Sequence, residues 1–469
     1  MFAVKTDFGS LGLDKGLTQV VRELGYKRPT PVQAACIPIL LNGKDLIGQS
    51  KTGSGKTAAF ALPILQAIDL ERRAVQALVL CPTRELSAQV AREIRKLGRN
   101  LHGLAVVELV GGQPSRPQRE ALERGMHIAV GTPGRLLDHI QRDILDPTGI
   151  RTVVIDEADR MLDMGFGADV HHIVRFVPPS RQTVLFSATF PDSIEHLSTT
   201  LQRDPDRVSV EDGGDQVDIR QLRMDLETPD KLQALAWLLQ KFQPESALVF
   251  CNFKASVAEL TGSLTNAGIS ADRLDGDLDQ FHRDQVLARF RNQSVRVLVA
   301  TDVAGRGIDV EGLDMVVNFE LPQQPEVYVH RIGRTGRAGK SGLAVTFTSA
   351  RQEDRVQVIE ELIGKSLKDL STDGVATSNL DDLLRSAAGP PKMSTILISG
   401  GRQDKVRPGD ILGALTGDSG GLQGSDIGKI EVQQRLSYVA VAHQHGAHAT
   451  GRLNAGRIKK KRYRATLIQ

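Results

Sequence analysis

The sequence predicts an α/β protein of two parallel-sheet lobes followed by a small α+β domain, and three observations predict it. Short β-rich runs alternate with helical patterns, the rhythm of a parallel sheet. The Gly/Asp stretch 211–215 interrupts that rhythm, and a second series of the same kind follows it. After a second break at Gly389-Pro390-Pro391 the pattern changes to strand-like pieces with one helix candidate and many basic residues. The expected divisions are 1–211, 216–370, a linker over 371–392, and 393–469.

In the first lobe the runs Ala77–Cys81, Ile128–Val130, Thr152–Ile155 and Thr183–Phe186 read as strands, with a helix over Glu85–Leu97. Between Leu46-Ile47 and an Ala/Leu-rich helix lies Ser50-Lys51-Thr52-Gly53-Ser54-Gly55-Lys56-Thr57. Its glycines let backbone N–H groups curl around phosphates, Lys56 reaches β/γ oxygens, and the Thr57 hydroxyl suits Mg²⁺. Downstream, Asp156, Glu157, Ala158 and Asp159 follow the strand Thr152–Ile155. Asp156, at the strand's carboxyl end, is placed to hold the metal through water, and Glu157 to orient the attacking water. A solvated helix start would explain the acids alone, but loop and acids in this order describe a nucleotide-hydrolysing site binding ATP and Mg²⁺.

The second series runs through Ala247–Phe250, Val295–Ala300, Met315–Phe319 and Leu343–Phe347. It has no phosphate loop, but its strands end in polar strings, Thr301-Asp302 and His330-Arg331-Ile332-Gly333-Arg334-Thr335-Gly336-Arg337. In the last segment Ser394–Ser399, Lys429–Val432 and Ser437–Ala442 read as strands and Arg407–Thr416 as a helix.

At 469 residues the chain is too long for one core, and 40% apolar with 25% charged residues is ordinary globular composition. No apolar run approaches the roughly 20 residues of a membrane span, and no signal-peptide layout opens the chain, so a cytoplasmic address and no membrane partner are expected. Cys36, Cys81 and Cys251 are scattered among apolar neighbours and read as reduced core thiols. The net charge of +3 is uneven: residues 393–469 hold twelve Lys/Arg against five Asp/Glu, a local +7 that leaves −4 for the rest. The end of the chain therefore faces a polyanion.

With these strings assembled, residues 2–370 resemble the DEAD-box ATP-dependent RNA helicases, motif by motif and in family order. The resemblance implies two RecA-like lobes and an RNA-dependent ATPase that unwinds short duplexes. It assigns Phe8, Tyr26 and Gln33 (in Thr30-Pro31-Val32-Gln33) to adenine recognition, an aromatic stacking on the ring and the Gln amide pairing with its edge. Ser187-Ala188-Thr189 resembles the segment coupling the phosphate site to RNA, with Ser187, Thr189 and His330 as coupling residues. Arg84 in Pro82–Leu86, Gly112 in Gly111-Gly112, and Thr132 and Arg135 in Thr132–Arg135 resemble RNA-backbone contacts, as do Gln280, Arg283 and Thr301 in the second lobe. Asp309 is implied at the nucleotide, and Arg334 and Arg337 as arginine fingers on the γ-phosphoryl group. Ser50, Gly305 and Asp275 depart from the family's usual Ala, Ala and His, and Gly305 is expected to loosen the backbone beside Arg306.

The last segment resembles, more narrowly, the C-terminal domain of DbpA-type bacterial members, through Val406–Leu415 and Gly424–Ile430. That implies a variant RNA-recognition fold, a target hairpin in large-subunit ribosomal RNA, ribosome assembly intermediates as partners, and a monomeric protein. The residues themselves offer only Tyr438 on the strand Ser437–Ala442 and no aromatic on 396–399, so sheet stacking of bases is not expected. Lys459, Lys460, Lys461 and Arg462 instead supply charge for holding folded RNA by phosphate and shape. His443, His445 and His448 do not have the spacing of a metal site. Two alternatives remain at this stage: a DNA-directed translocase of the same superfamily, and an ATP-timed RNA clamp or annealing chaperone.

Overall fold

The structure, a computed structural model, describes residues 7–50, 54–210, 219–227, 230–305, 312–336, 342–417 and 421–468. Lys51, Thr52, Gly53, Asp309, Arg337 and the 211–215 stretch lie outside the described residues. The chain falls into two compact units, one built on the first sheet and the other on the second and third.

The first sheet comprises β1 (Leu46–Gln49), β2 (Ala77–Leu80), β3 (Val106–Leu109), β4 (Ile128–Gly131), β5 (Thr152–Ile155), β6 (Gln182–Ser187) and β7 (Asp206–Ser209), in the spatial order β3-β4-β2-β5-β6-β1-β7. Every pairing is parallel. Because strand side chains alternate in direction, Val79 and Val154 enter one core with Phe60 and Ile37, while Leu78, Val153 and Ile155 enter another with Met161 and Leu136. A sheet buried on both faces needs uninterrupted apolar strands, which is why β2 and β4 are buried throughout.

The second sheet repeats the plan: β8 (Ile219–Asp225), β9 (Ala247–Cys251), β10 (Ala271–Leu274), β11 (Val297–Thr301), β12 (Met315–Asn318), β13 (Gly342–Thr348) and β14 (Lys368–Asp369), ordered β10-β11-β9-β12-β13-β8-β14 and wholly parallel. Part of the segment expected as a linker belongs to this lobe. Helices Asp373–Ala376 and Leu380–Ala387 place Val375, Leu383 and Ala387 in its core, and Gln233 Nε2 donates to the carbonyls of Val375 (2.7 Å) and Ser378 (2.6 Å). The polar composition misled because only one face of the second helix is apolar. Gly305 also has a packing reason: a Cβ there would meet the Phe250 ring 2.7 Å away, so glycine admits the ring and is not merely loose.

The third sheet is antiparallel, β15 (Met393–Ile398), β16 (Ile427–Val432), β17 (Ser437–Ala442) and β18 (Ala465–Ile468), ordered β16-β17-β15-β18. Ile396, Ile398, Val439 and Val441 face the helices Pro408–Thr416 and Gly446–Ala455 through Ile411, Leu415, Ala449 and Leu453. This is the expected α+β domain, with the short β18 added. The domain is seated on the second lobe. Thr395 Oγ1 meets Ser294 Oγ at 2.7 Å and accepts from Asn292 Nδ2 at 3.1 Å, and Arg291 pairs with Glu431 at 3.0 Å. The three cysteines are buried and free, and no helix among the described residues is long and apolar enough to cross a membrane.

Candidate nucleotide and RNA site

The first lobe gathers its chemistry at the carboxyl ends of β1, β5 and β6, where an open parallel sheet binds ligands. Gly55 (φ 92°) turns the chain into the helix Lys56–Ala67, and positive φ there is what glycine permits. Lys56 Nζ donates to the Ser50 carbonyl at 2.8 Å, and the Ser50 and Ser54 hydroxyls meet at 2.9 Å. Thr57 is the helix's second residue.

Thr30 caps the helix Pro31–Leu41 in a reciprocal box with Gln33, whose Oε1 accepts from Thr30 N at 3.0 Å. Gln33 Nε2 donates to the Gly55 carbonyl at 3.1 Å, and Gln33 is 1% exposed. The amide expected at the adenine edge thus ties the upstream element to the phosphate loop. Phe8, also 1% exposed, is a core residue, its ring edge-on to Tyr26 with centroids 6.2 Å apart. Of the two aromatics only Tyr26 keeps a partly exposed ring, steadied by its hydroxyl on Glu93 at 2.5 Å.

Asp156 follows β5, with its N–H on the Leu80 carbonyl at 3.0 Å. Burial pushes its carboxyl up to about 6, against the pull of Lys56, with Glu157 pushing further upward. Its Oδ1 is buried without a hydrogen-bond partner. Glu157 sits in the left-handed region (φ 54°, ψ 55°), a conformation costing a non-glycine residue about 1–2 kcal/mol, and pairs with the buried Arg160 at 3.2 Å. Asp159 ties the acidic string to the segment after β6. Its Oδ2 accepts from Ala188 N (3.0 Å), Thr189 N (3.0 Å) and Thr189 Oγ1 (3.1 Å), while its Oδ1 accepts from Arg160 N (2.9 Å). Ser187 Oγ closes the turn onto the Thr189 carbonyl at 2.7 Å. Asp159 has no assigned role in the sequence motif, and only its burial and the bonds it accepts from the 188–189 segment reveal one.

The expected RNA contacts of this lobe converge at the neighbouring strand ends. Thr83 caps the helix Arg84–Leu97 by accepting from Leu86 N at 3.2 Å, which sets Arg84 at its first turn. The Arg84 guanidinium lies over Gly112, where φ is 71° and a Cβ would collide with it. Thr132 opens the helix Pro133–Gln141, with its N–H on the Leu109 carbonyl at 3.1 Å, and Arg135 Nη2 donates to the Gln113 carbonyl at 3.3 Å. Arg84 over Gly112 and Arg135 on Gln113 therefore lie close together at these adjoining strand ends.

In the second lobe Thr301 ends β11, and Gln280 and Arg283 lie in the first turn of the helix Gln280–Arg291, where Gln280 Nε2 donates to Asp284 at 2.9 Å. His330 and Arg334 are buried near the end of the helix Pro325–Ile332. Arg331, which has no assigned role in the motif His330–Arg337, is the lobe's polar hub. It is 1% exposed and forks onto Asp302 at 2.5 and 2.7 Å, reaching Asn252 Oδ1 at 2.8 Å and the Glu320 carbonyl at 2.7 Å. This is the bidentate carboxylate geometry that arginine favours when buried.

The basic string of the third domain is ordered. Ile458 and Lys461 exchange backbone hydrogen bonds (2.9 and 3.1 Å) around Lys459 (φ 51°) and Lys460 (φ 71°), a tight turn that leads through Arg462 into β18. Lys459 Nζ leans on the Lys405 carbonyl at 3.1 Å, while Lys460, Lys461 and Arg462 are exposed. His443 Nδ1 is engaged with Ser394 at 3.0 Å, and the described residues contain no metal-binding cluster of His, Cys, Asp or Glu.

Three family descriptions match: DEAD/DEAH box helicase over residues 30–197, helicase conserved C-terminal domain over 230–339, and DbpA RNA binding domain over 395–467. The chain is 48% identical to the ATP-dependent RNA helicase DbpA of Escherichia coli, covering 96% of each chain. It is 45% identical to the DEAD-box ATP-dependent RNA helicase CshA of Bacillus cereus, over 76% of this chain and 68% of that one. Among solved structures, S. cerevisiae Dbp5 bound to RNA and ADP BeF3 superposes with a TM-score of 0.73 at 30% identity, covering 82% of this chain and all of that one.

Proposed function

The chain belongs to the DEAD-box ATP-dependent RNA helicases, and from that premise we propose that its third domain anchors it on a structured hairpin of large-subunit ribosomal RNA while the lobes rearrange nearby duplexes during ribosome assembly. The observation that carries this reading is the ordered basic turn 458–462, presented by a domain seated on the second lobe. A tight turn with exposed Lys460, Lys461 and Arg462 suits phosphates arranged by RNA shape. The protein is proposed to act as a cytoplasmic monomer.

Within the engine, Lys56 and the N–H groups around Ser54 and Gly55 hold the β/γ-phosphates, and Tyr26 and Gln33 serve the base. The orphaned Asp156 Oδ1, raised toward protonation when no cation compensates it, together with the Thr57 hydroxyl, fits a divalent cation. Mg²⁺ bound there would offset charge on the β- and γ-phosphates. Glu157 orients the attacking water, its carboxylate held by Arg160 of the helix that follows. Arg334 and Arg337 supply positive charge to the γ-phosphoryl group. Asp159 passes changes in the acidic string to Ala188 and Thr189 through the bonds it accepts from them.

The test is ATPase activity with no nucleic acid, generic single-stranded RNA, single-stranded DNA, or a large-subunit ribosomal RNA fragment. The fragment is expected to stimulate at about tenfold lower concentration than generic RNA. Reversing Lys460, Lys461 and Arg462 to Glu should remove that excess and leave stimulation by generic RNA. Equal stimulation by all RNAs, or an excess that survives the charge reversal, would overturn the anchor; stimulation by DNA would favour the translocase reading.

A further inference from the structure

The outer face of the third sheet is where an RNA-recognition fold stacks bases, and here it is partly occupied by the second lobe. Register places Leu397, Tyr438, Thr466 and Glu431 on that face, opposite the residues of the domain core. Tyr438, the face's one ring, is 0% exposed, and its hydroxyl is buried without a hydrogen-bond partner. Asp284 and Arg291 of the helix Gln280–Arg291 act on that phenol, and Arg291 pairs with Glu431 beside it. The covering helix then runs out over the rest of the face, where Phe281 stands 48% exposed.

Between Phe281 and the uncovered part of the sheet is a cavity of about 390 Å³, floored by Leu397 and Thr466, walled by Leu436, and edged by Arg435 and Arg464. Both arginines are exposed and, among the described residues, neither guanidinium has a hydrogen-bond or ion-pair partner. We propose that this cavity is an RNA subsite that takes one unpaired nucleotide, its base stacked on Phe281 against Leu397 and its phosphate held by Arg435 and Arg464. The chemistry argues for that occupant. An aromatic face with an apolar floor accepts any base, and unpaired guanidinium groups at the rim hold a backbone phosphate. The volume lies within the range of small-ligand pockets. The second lobe thus lends the domain an exposed ring in place of the covered Tyr438, and the subsite exists only where the two are docked.

The test uses the full chain without nucleotide and oligouridine as the probe. Ultraviolet crosslinking followed by peptide mapping is expected to place a crosslink at Phe281. Phe281→Ala should weaken oligouridine binding about tenfold, the loss of one stacked base. Phe281→Trp should bind as wild type, and Phe281→Leu should behave like the Ala variant. Arg435→Ala and Arg464→Ala should each lower the salt dependence of binding by about one counterion. Leu restoring wild-type affinity would make the residue a docking contact and overturn the proposal. Crosslinks found only elsewhere on the chain would overturn it equally.

Discussion

Asp159→Asn isolates the tie between the acidic string and the 187–189 segment. One carboxylate oxygen accepts three hydrogen bonds, from Ala188 N, Thr189 N and Thr189 Oγ1, and the other accepts one from Arg160 N. Asparagine keeps a single acceptor oxygen, so in either rotamer an NH₂ faces an N–H donor in a residue that is 6% exposed. Bonds to a charged acceptor contribute roughly 1.5–3 kcal/mol each, and a stranded buried donor costs about 1–3 kcal/mol. A net loss of about 3 kcal/mol follows. For a lobe of this size that lowers the midpoint of its thermal transition by about 6–12 °C. Hydrogen exchange should lose protection at the amides of residues 188 and 189 specifically, and duplex unwinding should fall more than ATP binding. Unchanged protection at those two amides, or a midpoint within about 2 °C of wild type, would refute the reasoning.

Other outcomes follow from the same geometry. Glu157→Gln should slow hydrolysis by orders of magnitude while ATP and RNA binding persist, as steady-state turnover beside equilibrium binding would show. Asp156→Asn should abolish Mg²⁺-dependent hydrolysis yet raise the ligand-free melting temperature at neutral pH, because a carboxyl pushed up to about 6 by burial costs stability when ionised; the gain should fade as pH falls toward 4. Gly112→Ala, strained at positive φ and colliding with Arg84, should weaken RNA binding severalfold in a filter-binding titration and spare ATP affinity. His127 is fully buried, accepts from Ala105 N at 3.0 Å, and has its pKa lowered by burial. It therefore contributes stability above the ordinary histidine value of about 6.5 that is lost as pH falls below it, and His127→Gln should flatten that acid limb of the melting curve.

Much of this protein was determined by sequence alone. Apolar runs marked β2, β4, β5, β6, β9, β11, β12 and β13, because the middle of a parallel sheet covered on both faces is apolar along its length; the more exposed β3, β7, β8, β10 and β14 carry no such run. The phosphate loop, the acidic string and the arginines carry their chemistry in residue type and order. Tertiary structure decided what depends on neighbours remote in the chain. It sent Phe8 into the core and left the partly exposed ring to Tyr26. It drew Gln33 onto the Gly55 carbonyl, and the helices within 371–392 onto the second lobe. Arg331 and Arg334 look alike in the string His330–Arg337, and only Asp302, Asn252 and Glu320 converging from other strand ends make the first a buried hub. Likewise Phe281 is one of two phenylalanines on the helix Gln280–Arg291, and only the third domain beside it makes it the wall of a cavity. Burial and hydrogen bonding are pairwise properties, and the partner's position is not written in either local sequence.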